Sequence, residues 1–560
     1  MKKAIRLLTV LFAGLILFGL TSKTPVSAAQ AKLNASKKTI QAGASFTLTL
    51  SGAEGKVTWK SSDKSVATVK KGTVTAVAPG KTKITAKNGG NKYTCKITVI
   101  EAKETKADKL TLEEHATGIT ADLVLLMGEF GSVQTSLDDP ENYESYVIDS
   151  EGNVLIHEVL SEILLTGEFN IDDSPYVILD NDMILSDFGR FYTPEGERLI
   201  NKELSEQDLI YVGYSPFSGG IAVVSFTDSQ YENRRDYLIN EKFEILAEVN
   251  TLISEDPYLV QFLYTTSEGM SALICEELDP ETGEVKNHEL LGFYNKKGKL
   301  IVPKDENGQS YKSGLPVFSD GLAPVWNSET DLLGFINKKG KLVIPCEYKA
   351  LYGSGFKNGY ALVTKVIDGE EKTGVIDKKG NVVVPFEYDN KGFTPVCCSG
   401  VLTLVKNDMI GILSRKGKEI VPFEYVRLNK ISDNFIHLVD KNEKDCILTL
   451  KGKTLIPTDE YAWIWGLGEQ TLIVGDGDGT NTALIDLNDT VLTNIDGNLQ
   501  YAYLNENLGM IGYEKDGKLG YTSFDGKVVV PFEYDDISHF SANGIGYGIK
   551  DKQLYVLKLK

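Results

Sequence analysis

Five histidines, six cysteines and 78 carboxylates are the side chains with which this chain of 560 residues could do chemistry. His115, His157, His288, His437 and His539 stand far apart, without the short spacing that sets two imidazoles on one metal, so each reads as a structural or surface residue. Gly213-Tyr214-Ser215-Pro216-Phe217 starts like a nucleophile elbow but lacks its closing glycine; Ser215 fits better in the turn that runs to Gly220. Gly475-Asp476-Gly477-Asp478-Gly479-Thr480-Asn481 alternates carboxylates, as a hard, oxygen-seeking cation prefers. Yet Asn481 stands where a calcium loop needs glycine, and Leu487 where it needs glutamate, so a polar turn is the better reading. Cys397 and Cys398 are adjacent and Cys95, Cys275, Cys346 and Cys446 are scattered; free buried thiols are expected, with room for one oxidised pair outside a cell. The expectation is therefore no catalytic residues, no metal ligands and no cofactor, with the ligand-binding residues unknown.

The elements around these residues are more informative. Lys2, Lys3 and Arg6 precede the apolar run Leu7 to Leu20, and Val26-Ser27-Ala28 is a small-residue cleavage pattern, so residues 1–28 read as a secretory signal. The run is about 14 residues, short of the roughly 20 that a spanning helix needs, and no later segment is long or apolar enough. A mature chain without a membrane span is expected, located extracellularly or at the cell envelope. Charge divides the remainder. Residues 29–100 carry 13 lysines against Glu54 and Asp63, a net of +11, while residues 101–560 carry −34. Such asymmetry implies different partners for the two ends. The acidic bulk argues against nucleic acid as a main partner.

Short alternating runs fill residues 29–100. Phe46-Thr47-Leu48-Thr49-Leu50 has period two, Lys71-Gly72 is a hairpin signal between Val66–Val69 and Val74–Val77, and Tyr93 to Ile100 is a last strand. Several half-apolar strands in this length fit a small sandwich. The stretch from Val57-Thr58-Trp59 through Val66-Ala67-Thr68-Val69, then Gly72 to Gly80, resembles a bacterial immunoglobulin-like domain of group 2. Trp59 reads as a core residue rather than a sugar platform. The resemblance implies a spacer or adhesion module without catalysis, and its lysine excess suits anionic wall polymers.

Residues 101–144 read as a linker and capping segment, with 110–130 helix-like around Leu123 to Met127. From about 145 to 560 one pattern returns about ten times. Gly374-Val375-Ile376-Asp377-Lys378-Lys379-Gly380-Asn381-Val382-Val383-Val384-Pro385-Phe386-Glu387-Tyr388 is one copy, and clear relatives begin at Gly334, Gly411 and Gly520. The turn position falls at 152, 196, 243, 298, 340, 380, 417, 452, 489 and 526, a mean period of about 42, which indicates stacked supersecondary units. Asp377 should start a turn that Gly380 closes in the left-handed region, and Pro385 should end the strand by lacking an N–H. The pattern resembles the WG-repeat family, although Leu333, Thr373, Ile410 and Leu519 stand where its tryptophan is expected.

The fold expectation is all-β: a small Ig-like sandwich followed by a β-repeat array, a β-propeller being preferred over an open β-solenoid. The functional expectation is an exported non-catalytic binding or scaffold protein. Its repeat array would be the interaction surface and its basic module a tether, with anionic cell-wall polymers or surface proteins as partners. The alternative is a glycan-active enzyme with its site in a propeller channel.

Overall fold

The structure, a computed structural model, describes residues 31–135, 144–159, 176–178, 184–186, 191–199, 210–215, 217–227, 234–250, 258–312, 314, 316–349, 355–389, 397–398, 400–457, 460–465, 468–475 and 482–560. The leader expected at 1–28 and the Asp476–Asn481 turn lie outside them. The chain is all-β; among the described residues the only helix is a 3-10 turn at Ala107–Lys109, and no helix is long and apolar enough to cross a membrane.

The N-terminal module is a sandwich. One sheet orders the strands Lys37–Gln41, Asn91–Ile100, Gly80–Asn88 and Thr58–Ser61; the other orders Ser45–Thr47, Thr73–Ala76 and Ala67–Lys70. The expected Lys71-Gly72 hairpin is present, with both residues at positive φ (53° and 99°). Ile84 and Cys95 are fully buried between the sheets, and Trp59 packs against the same core.

Among the described residues eleven antiparallel units follow, at 123–159, 176–199, 210–250, 259–301, 322–348, 360–389, 397–431, 436–456, 463–495, 498–534 and 536–559. The hairpin chemistry is as the sequence implies. Asp377 Oδ1 accepts from the N–H groups of Lys379 (2.8 Å) and Asn381 (2.9 Å), and Gly380 turns the chain at φ 83°. All ten expected turn positions have positive φ, including the non-glycine Phe243 (62°) and Asp489 (62°). The Pro385 expectation needs correction. The strand runs on from Val382 to Asp389, and Pro385-Phe386-Glu387 arches out opposite Gly374 between the pairs Val375–Val384 and Thr373–Tyr388. A Cβ on Gly374 would meet the Phe386 ring at 2.8 Å, so the arch requires the glycine. Units five, seven and ten repeat this shift. Leu333, Thr373, Ile410 and Leu519 pair with the motif tyrosines Tyr348, Tyr388, Tyr425 and Tyr534, and all eight are buried. The position where tryptophan was expected is thus a core site.

Each unit is buried by its neighbours. Apolar clusters join units one and two, and then every consecutive pair from three to eleven. A further cluster joins unit eleven to unit one through Val124, Val133, Ile148, Tyr547, Ile549 and Val556. The first and last strands of the array make this closure. Leu112–Thr120 pairs antiparallel with Gln553–Leu559 as the outermost strand of unit eleven, and Tyr534 donates to Glu114. Across the closure Tyr547 Oη donates to the Glu129 carbonyl (2.8 Å), and the Val124 N–H donates to Asp536 (2.8 Å). The hairpin of unit eight sets Gly452 against Ile420 of unit seven, and those of units four and six sit likewise on their predecessors. Gly152 of unit one sits in the same way on His115, Thr117 and Val556. Such closure supports the propeller over the open array.

Two expectations are corrected here. Residues 110–130 are not helical: they form the closing strand and Leu123–Met127, because a short apolar run fits a buried strand as well as a helix. Residues 101–144 are accordingly more than a linker and cap, since three strands of the array lie within them.

Gly452 and Gly517 share φ 78°, but a Cβ on Gly452 would lie 2.2 Å from the Ile420 carbonyl oxygen, while one on Gly517 meets nothing within 4 Å. Gly517→Ala should cost about 1–2 kcal/mol from backbone strain alone. Gly452→Ala should cost clearly more, read as a lower urea midpoint; equal costs would mean the inter-unit contact is soft.

Candidate anion-binding cleft

Strand alternation decides which lysines of the N-terminal module are buried. Lys38 and Ile40 point inward, and Lys37 and Thr39 point out. On Gly80–Asn88 the outward positions are Lys81, Lys83, Thr85 and Lys87; on Asn91–Ile100 they include Lys92, Thr94, Lys96 and Thr98. Thr58 and Lys60 complete the face. Register places Lys83 opposite Lys96, Lys87 opposite Lys92, and Lys37 beside Lys96. One sheet face therefore shows seven exposed lysines separated by threonines. Among the described residues none of the seven forms an ion pair. Lys37, Lys81, Lys83 and Lys96 form one wall of a cleft of about 1020 Å³, and Leu455, Pro457, Asn488 and the two carboxylates Glu460 and Asp489 line the side toward units eight and nine.

The cleft exists because the module is docked on the array. Thr39 and Ile40 pair in parallel with Thr490 and Val491, joining the Ig-like sheet to unit nine as one eight-stranded sheet. Thr490–Ile495 contains no proline and carries only a single-residue bulge at Leu492 in place of the three-residue arch, so Thr490 and Val491 remain free to pair on the outer edge. Asn494 clamps Ser45 on both sides, accepting from its N–H (2.6 Å) and donating to its carbonyl (3.1 Å). Gln41 donates to the Leu492 carbonyl (3.0 Å). Phe46, Ile84 and Ile97 share a single core with Phe435, Ile447, Leu472 and Val491.

At the centre of the joint Lys38, its side chain fully buried, donates to Glu460 (2.9 Å), Asp489 and Tyr461, and Tyr461 donates to Asp489 (2.9 Å). Its ammonium also lies 4.5 Å from the Tyr461 ring centroid and 4.8 Å from that of Phe46. Two carboxylates share one cation, so burial, opposed by Lys38 and reinforced by Asp489, pushes the Glu460 carboxyl up to about 7. Burial likewise pushes the Cys95 thiol up to about 12, as suits an inert core thiol.

The histidines stay apart. His157 stacks on Tyr146 (4.4 Å), His288 meets Glu276 (3.0 Å), buried His437 meets Asp445 (2.8 Å), and His539 lies against Tyr503 (4.1 Å). Ser215 accepts from the Val223 N–H (2.9 Å) within its turn. Cys95, Cys275, Cys346 and Cys446 are free thiols. No group of three His, Cys, Asp or Glu that could hold a metal occurs among the described residues. Sequence reasoning counted the lysines but missed their common face. The signal was present in Lys81-x-Lys83-x-Thr85-x-Lys87 and Lys92-x-Thr94-x-Lys96-x-Thr98. The docking contacts had no such local signal.

Lys38→Met should strand Glu460 and Asp489 without their cation, costing about 3–5 kcal/mol in urea denaturation. The folded Glu460 keeps its proton to higher pH than an ordinary carboxyl at 4.5, so its contribution to stability is full below about 4.5 and lost as pH rises through about 7. The wild type should thus lose stability relative to Glu460→Gln between pH 5 and 8. Parallel pH profiles would refute this assignment.

Residues 27–97 match the bacterial Ig-like domain (group 2), and residues 334–365, 374–390 and 525–552 match the WG containing repeat. No curated protein matches the sequence. Among solved structures the chain is similar to a quinoprotein alcohol dehydrogenase-like protein from Bacteroides thetaiotaomicron at 10% identity, over 76% of this chain and 95% of that one, with a TM-score of 0.23. It is also similar to AztD from Citrobacter koseri at 12% identity, over 63% and 96%, with a TM-score of 0.22. Likeness at these scores says nothing about activity or ligand. The chain carries a bacterial Ig-like domain of group 2 followed by WG repeats.

Proposed function

We propose that the protein is an exported, non-catalytic binding scaffold of the cell envelope or extracellular space. The Ig-like module holds it to an anionic cell-wall polymer, and the acidic array presents the surface that partner proteins meet. The observation that carries this reading is the single core running from the Ig-like sandwich into units eight and nine, which fixes a basic face rigidly against an acidic body. A spacer hanging from a loose linker would need no such joint. Export is supported by the leader pattern at 1–28, and the tether by the charge division between +11 and −34.

The test uses the full chain secreted with its own leader. Mass spectrometry should find Ala29 as the mature N-terminus. The mature protein should pellet with purified bacterial cell walls at low salt and be released steeply as salt rises, while those walls release no reducing sugar. Retention of residues 1–28 would remove the export reading. Absence of pelleting would remove the tether, and liberation of sugar would make the protein an enzyme.

A further inference from the structure

We infer that the lysine–threonine face of the Ig-like sheet is a track for a linear phosphodiester polymer, whose path ends in the cleft against units eight and nine. This rests on the tether reading and adds the residues and the ligand class. Like charges directly opposite each other destabilise a sheet. Here Lys83 faces Lys96, Lys87 faces Lys92, and Lys37 lies beside Lys96, with no acid on the face to relieve them. Lys38, one position away from Lys37 and facing inward, is matched by two carboxylates. The chain neutralises the lysine that it buries and leaves the outward row to be neutralised from outside.

The geometry of the row indicates what neutralises it. Alternate residues on one strand lie about 7 Å apart, and neighbouring strands about 4.8 Å apart. Lys81 and Lys83 therefore stand about 7 Å apart, near the spacing of successive ionised groups along an extended polymer, and Lys87 follows about 14 Å further on with Thr85 between. Every cation on the face is lysine. The planar fork of arginine matches carboxylate and phosphate alike in one fixed geometry, whereas an ammonium is a point charge that the oxygens of a flexible phosphodiester chain can approach from any side. The intervening threonine hydroxyls both donate and accept, as a polyol backbone requires. The outward positions of these four strands carry no aromatic ring. Single-stranded nucleic acid, which stacks its bases on such rings, is therefore disfavoured.

The experiment measures binding of the mature full chain to poly(glycerol phosphate), with poly-glutamate and single-stranded DNA of equal charge as comparators. Lys81→Gln, Lys83→Gln and Lys96→Gln combined should weaken binding at least tenfold, by the loss of about three phosphate contacts, and reduce the slope of log affinity against log salt by about 2. Lys56→Gln, Lys64→Gln and Lys70→Gln combined change the net charge equally away from the face and should leave both quantities near wild type. Without polymer, the first triple variant should melt higher than the wild type, because its repulsion is relieved. Equal weakening by the two triple variants, a lower melting temperature of the first, or equal or tighter binding of DNA or poly-glutamate would overturn the inference. If the first variant pelleted with cell walls as well as the wild type, this face would be wrong while the tether stood. If the wild type itself failed to pellet, the tether reading would fall.

Discussion

Each repeat covers its neighbour, and most else in the molecule follows from that. A unit of three or four short strands has too little apolar surface to fold by itself. Its hairpin turn therefore comes down onto the last strand of the preceding unit, closely enough at Gly452 that a methyl group would overlap the Ile420 carbonyl. The same need explains the arch at Pro385. It swings Phe386 over Gly374 and fills the space between layers while the strand continues to Tyr388. Where the family pattern has tryptophan, this chain uses Leu333, Thr373, Ile410 and Leu519 at sites already enclosed by tyrosine.

The sandwich and the array are one body for a related reason. Unit nine lacks the proline arch, and the start of its outer strand, Thr490 and Val491, takes Thr39 and Ile40 alongside it. Backbone pairing alone would leave the joint wet. The shared core under Phe46 and Val491 and the Lys38 ion cluster close it. The cost falls on Glu460, which cannot be comfortably ionised beside Asp489 with a single cation between them.

Local chemistry was legible in the sequence, and distant pairing was not. Turn residues such as Asp377 and Gly380 act through bonds to their own neighbours, so their spacing disclosed ten units, even where Phe243 and Asp489 replace glycine. The eleventh stayed hidden because its outer strand, Leu112–Thr120, lies more than 400 residues from its partner. The apolar run Leu123 to Met127 looked helical although its hairpin partner Phe130–Thr135 is next in sequence, because a short apolar run fits either element. Lys38 resembled every other lysine in an alternating strand; only the tertiary structure separates it from Lys37. The lysine face falls between these cases, being written in plain alternation on two strands but assembled only by their register.

Closure by the two ends of the array has a kinetic side. Leu112–Thr120 is made early but has no partner until Gln553–Leu559 exists, so the ring cannot be completed until all the intervening units have been made. Contacts spanning such a length carry a large loop-closure penalty and slow the search. An array built this way stays open and threadable until its closing strand arrives, then locks in one late event that also seals the first unit against the eleventh.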